Sequence, residues 1–373
     1  MQRTKPDFWL ILLSFILVGY GLVMVFSTSY YKGILDYQNA YYFFNKQLIF
    51  AGIGLVLFFI FSNIPYHWYR KHVGKFLLVS LLMLLFVLMF ADETNGARRW
   101  IKIGSFTFQP SEFVKIVLIL YTASIMVKKQ EVLHNFKKTI LPPLTVITIF
   151  CGLLVIQPHY SATIIIFTTC MIIIFCGGAK LRQLFLLVSA GIPVLVGVLF
   201  LDQYRINRVM ALFDPFSDPQ NHGYQVIYSL YAIGPGGITG VGLGKSIQKM
   251  AYLPEAHTDF IFSIIAEELG FIGAGTLIIL FAIYVIRGVR ISLRARDLFG
   301  TLLGIGIVSL FAIQVVFNLG VVTALLPVTG VPLPFISYGG SSLMFQLVAT
   351  GILLNISRYQ AVRNKPAVKA DEK

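Results

Sequence analysis

Residues 74–91 read GKFLLVSLLMLLFVLMFA: one lysine near the edge, one serine inside, and otherwise almost wholly apolar side chains. A buried strand of a soluble protein needs only about 4–8 such residues. A helix crosses the hydrocarbon of a bilayer with about 20, within a range of about 17–25, and this run has that length. Working outward from it, similar runs lie at about 8–28, 47–64, 112–127, 140–157, 161–177, 184–201, 260–286, 302–323 and 339–357. The expected fold is therefore all-α, a polytopic membrane protein of about ten transmembrane helices. The first run follows Arg3 and Lys5, as a signal peptide would. No small-residue cleavage site follows it, so a retained helix is expected.

The composition agrees. The 373 residues are 57% hydrophobic and 12% charged, whereas a soluble domain carries about 25% charged residues. So few charges cannot clothe a water-soluble surface, which excludes a cytosolic enzyme, a disordered chain and a disulfide scaffold. Cys151, Cys170 and Cys176 lie within apolar runs and have no metal-ligand spacing, so they are expected to act as small hydrophobes. There is no internal repeat, low-complexity tract or linker, and one membrane domain is expected over 1–373.

The net charge of +14 comes from 30 Lys and Arg against 16 Asp and Glu. When loops are assigned to alternate sides, 20 of the 30 cations fall on one side, with only five acids. They lie at the N-terminus, around 65–75, at 128–138, 180–182 and 287–296, and in the tail. The positive-inside rule makes that side, and both termini, cytoplasmic. The excess charge is then a topology signal, and nucleic-acid binding is not expected. Outside lie 29–46, 92–111, a short turn at 158–160, 324–338, and a large loop at 202–259 between helices seven and eight. Structureless loops longer than about 12–15 residues are uncommon unless functional, so the chemistry is expected in this one.

Several polar residues need a reason. Ionisable groups within spans cost a few kcal/mol each and usually mark a site or pathway. Glu112 and Lys115 are three apart and can pair along one helical face. Glu267 and Glu268 point about 100° apart, and nothing on their own helix neutralises them; a functional role is expected for at least one. Gln314 and Asn318, four apart, read as interhelical hydrogen-bond glue. Arg98, Arg99 and Lys102 cluster around Trp100 on the outer face, against the positive-inside trend. They suit an anionic partner such as a pyrophosphate; the alternative is attraction to anionic headgroups. The segment GPGGITGVGLGKS (234–246) imitates a phosphate-binding P-loop, but Thr239 stands where that spacing requires glycine. A tightly folded re-entrant or surface loop is expected instead. In YLPEAHTDFIF (252–262), Thr258 or Asp259 can cap the eighth helix, and His257 with Asp259 is too small a set for a metal.

Four stretches resemble a known family: GARRWIKIGSFTFQPSEFVK (96–115), YRINRVMALFDPFSDP (204–219), the block 223–273 from GYQVIYSLYAIG to EELGFIG, and PVTGVPLPFISYGGSS (327–342). They are similar to the SEDS proteins FtsW, RodA and SpoVE, nearest the FtsW/SpoVE branch. The resemblance implies a peptidoglycan glycosyltransferase that polymerises lipid II at the outer face of the bacterial cytoplasmic membrane. Undecaprenyl pyrophosphate is released, and a class B penicillin-binding protein is the partner, in division or sporulation. It puts the catalytic aspartate on Asp259 and substrate-binding positions on Arg98, Arg99, Glu112, Lys115, Arg205, Arg208 and Glu268, to which the cation cluster adds Lys102. One departure stands out: where the family commonly has aspartate after Gln157–Pro158, this chain has His159, a pH-sensitive group at an external turn. No cofactor is read from the sequence, and a divalent cation on the pyrophosphate is left open. A lipid II flippase and a non-catalytic scaffold for the penicillin-binding protein are the alternative readings.

Overall fold

The structure is a computed structural model that describes residues 5–93, 98–104, 106–133, 135–183, 185, 189, 191, 197, 203–221, 223–250 and 252–360. Long helices follow the apolar runs. After α1 (Phe8–Tyr37), α2 (Tyr42–Asn63) and α3 (Tyr66–Phe90) comes an antiparallel hairpin of β1 (Ile101–Ile103) and β2 (Phe106–Phe108). Then follow α4 (Pro110–Lys128), a single turn α5 (Phe136–Thr139), α6 (Leu141–Ile156) and α7 (Tyr160–Cys176). The outer loop contributes α8 (Gln203–Phe213) and α9 (Tyr224–Ile233), before α10 (Ile261–Leu293), α11 (Leu298–Val322) and α12 (Gly340–Ser357).

Seven of these helices, α1 to α4 and α10 to α12, are long and apolar enough to cross a membrane. The chain is a multi-pass membrane protein. The expected count of ten is not reached among the described residues. Helices α6 and α7 are apolar but only 16 and 17 residues long. Prolines set their limits: Pro142 and Pro143 open α6, and Pro158 separates it from α7, each lacking the amide that would extend a helix. The expected span at 184–201 lies almost wholly outside the described residues.

The helices show little amphipathicity because lipid and protein interior are equally apolar solvents for their side chains. Position in the bundle separates them instead. In α12, 78% of the spanning window is buried, against 17% in α3, so α12 is central and α3 faces outward. Helix α12 runs along α2, while α11 packs on α10, α7 and α4. One end of the bundle is closed by polar contacts. Asp7 caps α1 by accepting from the Leu10 amide and receives Arg287 Nε at 3.0 and 2.9 Å. Asp297 caps α11 and accepts from Tyr66 Oη at 2.5 Å.

The 202–259 segment is far from structureless. Helix α9 sinks back against α10 and α11, where Ser229 Oγ lies 2.7 Å from Ser263 Oγ and donates to Val322 O at 2.7 Å. The glycine-rich stretch that follows docks on a break in α10 at Gly270 (φ 63°, ψ −163°). A side chain is excluded there twice over: L-residues avoid this backbone region, and an added Cβ would run into the Gly240 nitrogen and the Ile238 carbonyl. The break frees backbone groups that the loop then pairs. The amides of Val241 and Gly242 donate to Glu267 O and Glu268 O at 2.9 and 3.0 Å. Those of Phe271 and Ile272 donate to Gly237 O and Ile238 O at 2.9 and 3.1 Å. The tightly folded loop expected from the glycines is what the chain forms.

Candidate active site

Asp259 sits in the turn that delivers the chain into α10. The helix begins at Ile261, with Phe260 at its N-cap and no side-chain cap hydrogen bond, and Thr258 Oγ1 turns away to donate to Glu255 Oε2 at 2.6 Å. The capping reading of Thr258 and Asp259 is therefore set aside. The backbone of the turn is pinned from three sides instead. Asn318 Nδ2 of α11 donates to Asp259 O at 2.7 Å and to Val331 O at 2.8 Å. Ser337 Oγ donates to Thr258 O at 2.6 Å, and the Tyr338 amide donates to His257 O at 2.9 Å. Asn318, read as interhelical glue, thus ties α11 to the loop that holds the acid.

The Asp259 carboxylate is left available. Among the described residues it accepts no hydrogen bond, and a Cβ added at Gly330 would lie 3.2 Å from its Oδ2, so the 327–342 segment forms one wall beside it. The side chain is half-buried. Burial pushes its pKa up to about 7, the negative charge of Glu255 adds to the rise, and Arg208 opposes it. Desolvation favours the neutral acid, which places the group where it exchanges protons near neutral pH.

The expected cationic cluster is divided by the structure. Arg99 points inward, half-buried, with Nε donating to Gln157 O at 3.3 Å and Nη2 donating to Pro158 O. Burial lowers its pKa, with Tyr160 and Arg208 acting on it in opposite senses. Arg208, on α8, donates to Val328 O at 3.2 Å and acts on both Asp259 and Arg99. Asp259, Arg208 and Arg99 therefore belong to one electrostatic neighbourhood. Arg98 and Lys102 do not join it. Both are exposed, Arg98 reaching the Leu88 carbonyl at 3.4 Å and Lys102 lying 3.8 Å from Asp92. The side chain of Arg205 lies outside the described residues.

Deeper, Lys115 Nζ donates to Glu112 Oε1 at 2.7 Å, the pair expected from their spacing. With Gln314 and Gln346 they line a cavity of about 10 Å³, room for about one water molecule. His159 bridges the two levels, its Nε2 lying 3.4 Å from Gln109 Nε2. Burial, then the charges of Arg99 and Lys115, push its pKa down to about 3. The imidazole is neutral at physiological pH, so the expected pH sensitivity of this turn is corrected to a neutral hydrogen-bonding group.

Glu268 is placed elsewhere. It is fully buried, accepts from Lys249 Nζ at 2.6 Å and from Ser27 Oγ at 2.6 Å, and is turned into the loop's base rather than towards Asp259. Glu267 is also buried, accepting from Ser246 Oγ at 2.5 Å and the Ile247 amide at 3.0 Å. Groups from outside their own helix thus reach both glutamates, which answers the missing neutralisation noted from the sequence. Sequence reasoning missed Lys249, Ser27 and Glu255. The signal for Lys249 was available, a lysine in a glycine-rich loop otherwise poor in charge, opposite two unneutralised glutamates. Of the cysteines, Cys151 and Cys170 are buried, as expected of small hydrophobes, and Cys176 is exposed near the end of α7. Among the described residues, no three His, Cys, Asp or Glu side chains are grouped to hold a metal.

Residues 8–362 match the family comprising FtsW, RodA and SpoVE, described as "Cell cycle protein". This chain belongs to that family. It is 41% identical over 361 residues to stage V sporulation protein E of Bacillus subtilis, covering 96% of this chain and 98% of that one. It is 43% identical over 367 residues to the probable peptidoglycan glycosyltransferase FtsW of the same organism, covering 95% and 91%. Among solved structures it superposes on a chain of a peptidoglycan synthase complex that coordinates polymerization and crosslinking, with a TM-score of 0.78 and 30% identity over 96% of this chain and 99% of that chain. RodA, the rod shape determining protein of Thermus thermophilus, superposes with a TM-score of 0.70 and 29% identity over the same shares. The family expected from the four quoted stretches is borne out, as is the all-α polytopic fold expected from the apolar runs, apart from the count of ten spans.

Proposed function

We propose that this family member is a peptidoglycan glycosyltransferase. It polymerises lipid II at the outer face of the cytoplasmic membrane, with both termini inside and 1–373 working as one membrane domain. A class B penicillin-binding protein is the partner that cross-links the product. The names of the relatives support the activity, and the distribution of Lys and Arg supports the orientation.

The observation that carries the reading is Asp259: a carboxylate with no hydrogen-bond partner among the described residues, desolvated to a pKa of about 7, at the start of a spanning helix and beside Arg208. A general base works best with a pKa near the operating pH. Asp259 takes the proton from the acceptor sugar hydroxyl as its oxygen attacks the anomeric carbon of the donor. The donor's bond to undecaprenyl pyrophosphate breaks with inversion, and the proton stays on the carboxyl until solvent removes it. Arg208 and Arg99 meet the charge that grows on the pyrophosphate, and donors fixed in place before reaction stabilise such charge most effectively. Glu112 and Lys115, a buried pair below this level, and Arg98 and Lys102, exposed above it, are proposed as contacts along the length of the lipid. Purified protein given lipid II, with and without the penicillin-binding protein, tests the reading by the appearance of glycan chains. Movement of lipid II across the membrane without chains would favour a flippase.

A further inference from the structure

We propose that Lys249 is a positioning residue: paired with Glu268, it closes the base of the loop that carries Asp259 and so fixes where that carboxylate stands. The inference rests on Asp259 being the general base.

Lys249 is buried, and its ammonium is shared between Glu268 Oε1 at 2.6 Å and Ser27 Oγ of α1 at 3.2 Å. Ser27 Oγ in turn donates to Glu268 Oε2 at 2.6 Å, so both carboxylate oxygens are engaged. The neighbouring glutamate grips the same stretch from another side. Ser246 Oγ and the Ile247 amide donate to Glu267, and Ser246 Oγ accepts from the Lys249 amide at 3.2 Å. Two adjacent glutamates, about 100° apart on a helix, thus hold residues 246–249 against α10 and α1.

The path of the chain gives this grip its consequence. Past Lys249 the Met250 amide donates to Ile247 O at 3.0 Å and the Leu253 amide to Gln248 O at 2.9 Å, and Leu253 and Ala256 are buried. The chain then turns at Glu255 (φ 55°), reaches Asp259 and joins α10. Glu268 lies about two turns further along that helix. The loop is therefore a ring whose two ends meet at the Lys249–Glu268 pair. Asn318, Ser337 and Tyr338 hold the ring where it returns at 257–259, and Lys249 holds it where it leaves. Glu255, whose charge acts on Asp259, sits between these anchors. A buried pair that loses one member leaves an uncompensated charge, so Lys249→Met leaves the upstream end held by the Glu267 contacts alone and lets the ring drift. Displacements of about 1 Å at a reacting group cost up to about 100-fold in rate. The same geometry assigns Glu268 to Lys249 rather than to substrate.

The test uses the full-length protein with its penicillin-binding partner, across a series of lipid II concentrations. Lys249→Met and Glu268→Gln should each lower kcat by about 10- to 100-fold with KM within about twofold. Amide hydrogen exchange should quicken at 246–259 and stay unchanged in α2 and α3. Lys249→Arg should return most of kcat, and Lys249→Met with Glu268→Gln, which buries no unpaired charge, should lose less than the product of the two single losses. If Lys249→Met fails to insert, Ser27→Ala, which removes only the third member, should still quicken exchange at 246–259. Unchanged exchange there, or a raised KM at unchanged kcat, would overturn the proposal. Should the parent protein make no glycan, the general-base reading falls and the positioning role with it, while the exchange data still decide whether the pair closes the loop.

Discussion

Replacing Asp259 by asparagine keeps the size of the side chain and removes its ability to take a proton. General-base help contributes about 10²–10⁴-fold, so Asp259→Asn is expected to lose at least about 10²-fold in glycan synthesis while inserting and binding its partner normally. The pH profile makes the expectation sharper. With a pKa of about 7, the carboxylate is about 10% ionised at pH 6 and about 90% at pH 8, so kcat/KM should rise about tenfold across that interval. An aspartate near the ordinary value of about 3.9 would give a flat profile there. Stability should move the opposite way. The native state holds this proton more tightly than the unfolded chain, so native stability falls as pH rises from about 4 to about 7. A shift of about three units sets an upper limit of about 4 kcal/mol at 1.36 kcal/mol per unit; the surface that Asp259 retains reduces this to about 1–2 kcal/mol. Asp259→Asn should therefore raise the unfolding midpoint in detergent at pH 8 and leave it near the parent value at pH 4. Initial rates of chain formation from pH 5.5 to 8.5, with thermal unfolding at the two extremes, test both. A flat profile between pH 6 and 8, or a folded Asp259→Asn that polymerises at near-parent rate, would refute the reasoning.

Glu255→Gln removes the charge that helps to raise Asp259's pKa, so the acid limb should move to lower pH, whereas Arg208→Gln should move it higher and also slow the reaction. Rate–pH profiles of the two variants check the directions. Arg99→Gln should impair use of lipid II by more than tenfold and Lys102→Gln by less than about threefold, because exposed pairs such as Lys102 with Asp92 contribute little; lipid II titrations of the two side by side decide it. A cysteine placed at Ser217 should react with a membrane-impermeant reagent in intact cells, and labelling only after permeabilisation would invert the proposed topology.

The spans were legible because crossing a bilayer requires a length of apolar chain that no other element needs. So were the limits of α6 and α7, expected at 140–157 and 161–177 and found at Leu141–Ile156 and Tyr160–Cys176, because Pro142, Pro143 and Pro158 punctuate the apolar sequence there. Asp259 could be placed outside by its sequence position, but its freedom from capping depends on the helix starting at Ile261, which a short-range pattern does not decide. Arg98 and Arg99 are neighbours in sequence and part company in space. Arg99 finds the Gln157 and Pro158 carbonyls while Arg98 stays at the surface, so clustering by position overstated the site. Glu267 and Glu268 have no neutralising neighbour on their own stretch of helix. Their partners come from Ser246, Ile247 and Lys249 of the loop that docks on the break at Gly270, and from Ser27 of α1; the lysine was visible as a lone counter-charge, but the contact with α1 joins residues too far apart in sequence for a local pattern to reveal.

The central claim is that this protein joins lipid-linked disaccharides and that Asp259 takes the proton. The most direct measurement is the product of purified protein and its class B penicillin-binding protein on lipid II, resolved by chain length, beside the Asp259→Asn variant in the same complex. The account predicts long glycan strands from the parent complex and at least about 10²-fold less from the variant. Equal strands from both, or none from a folded parent complex, would contradict it.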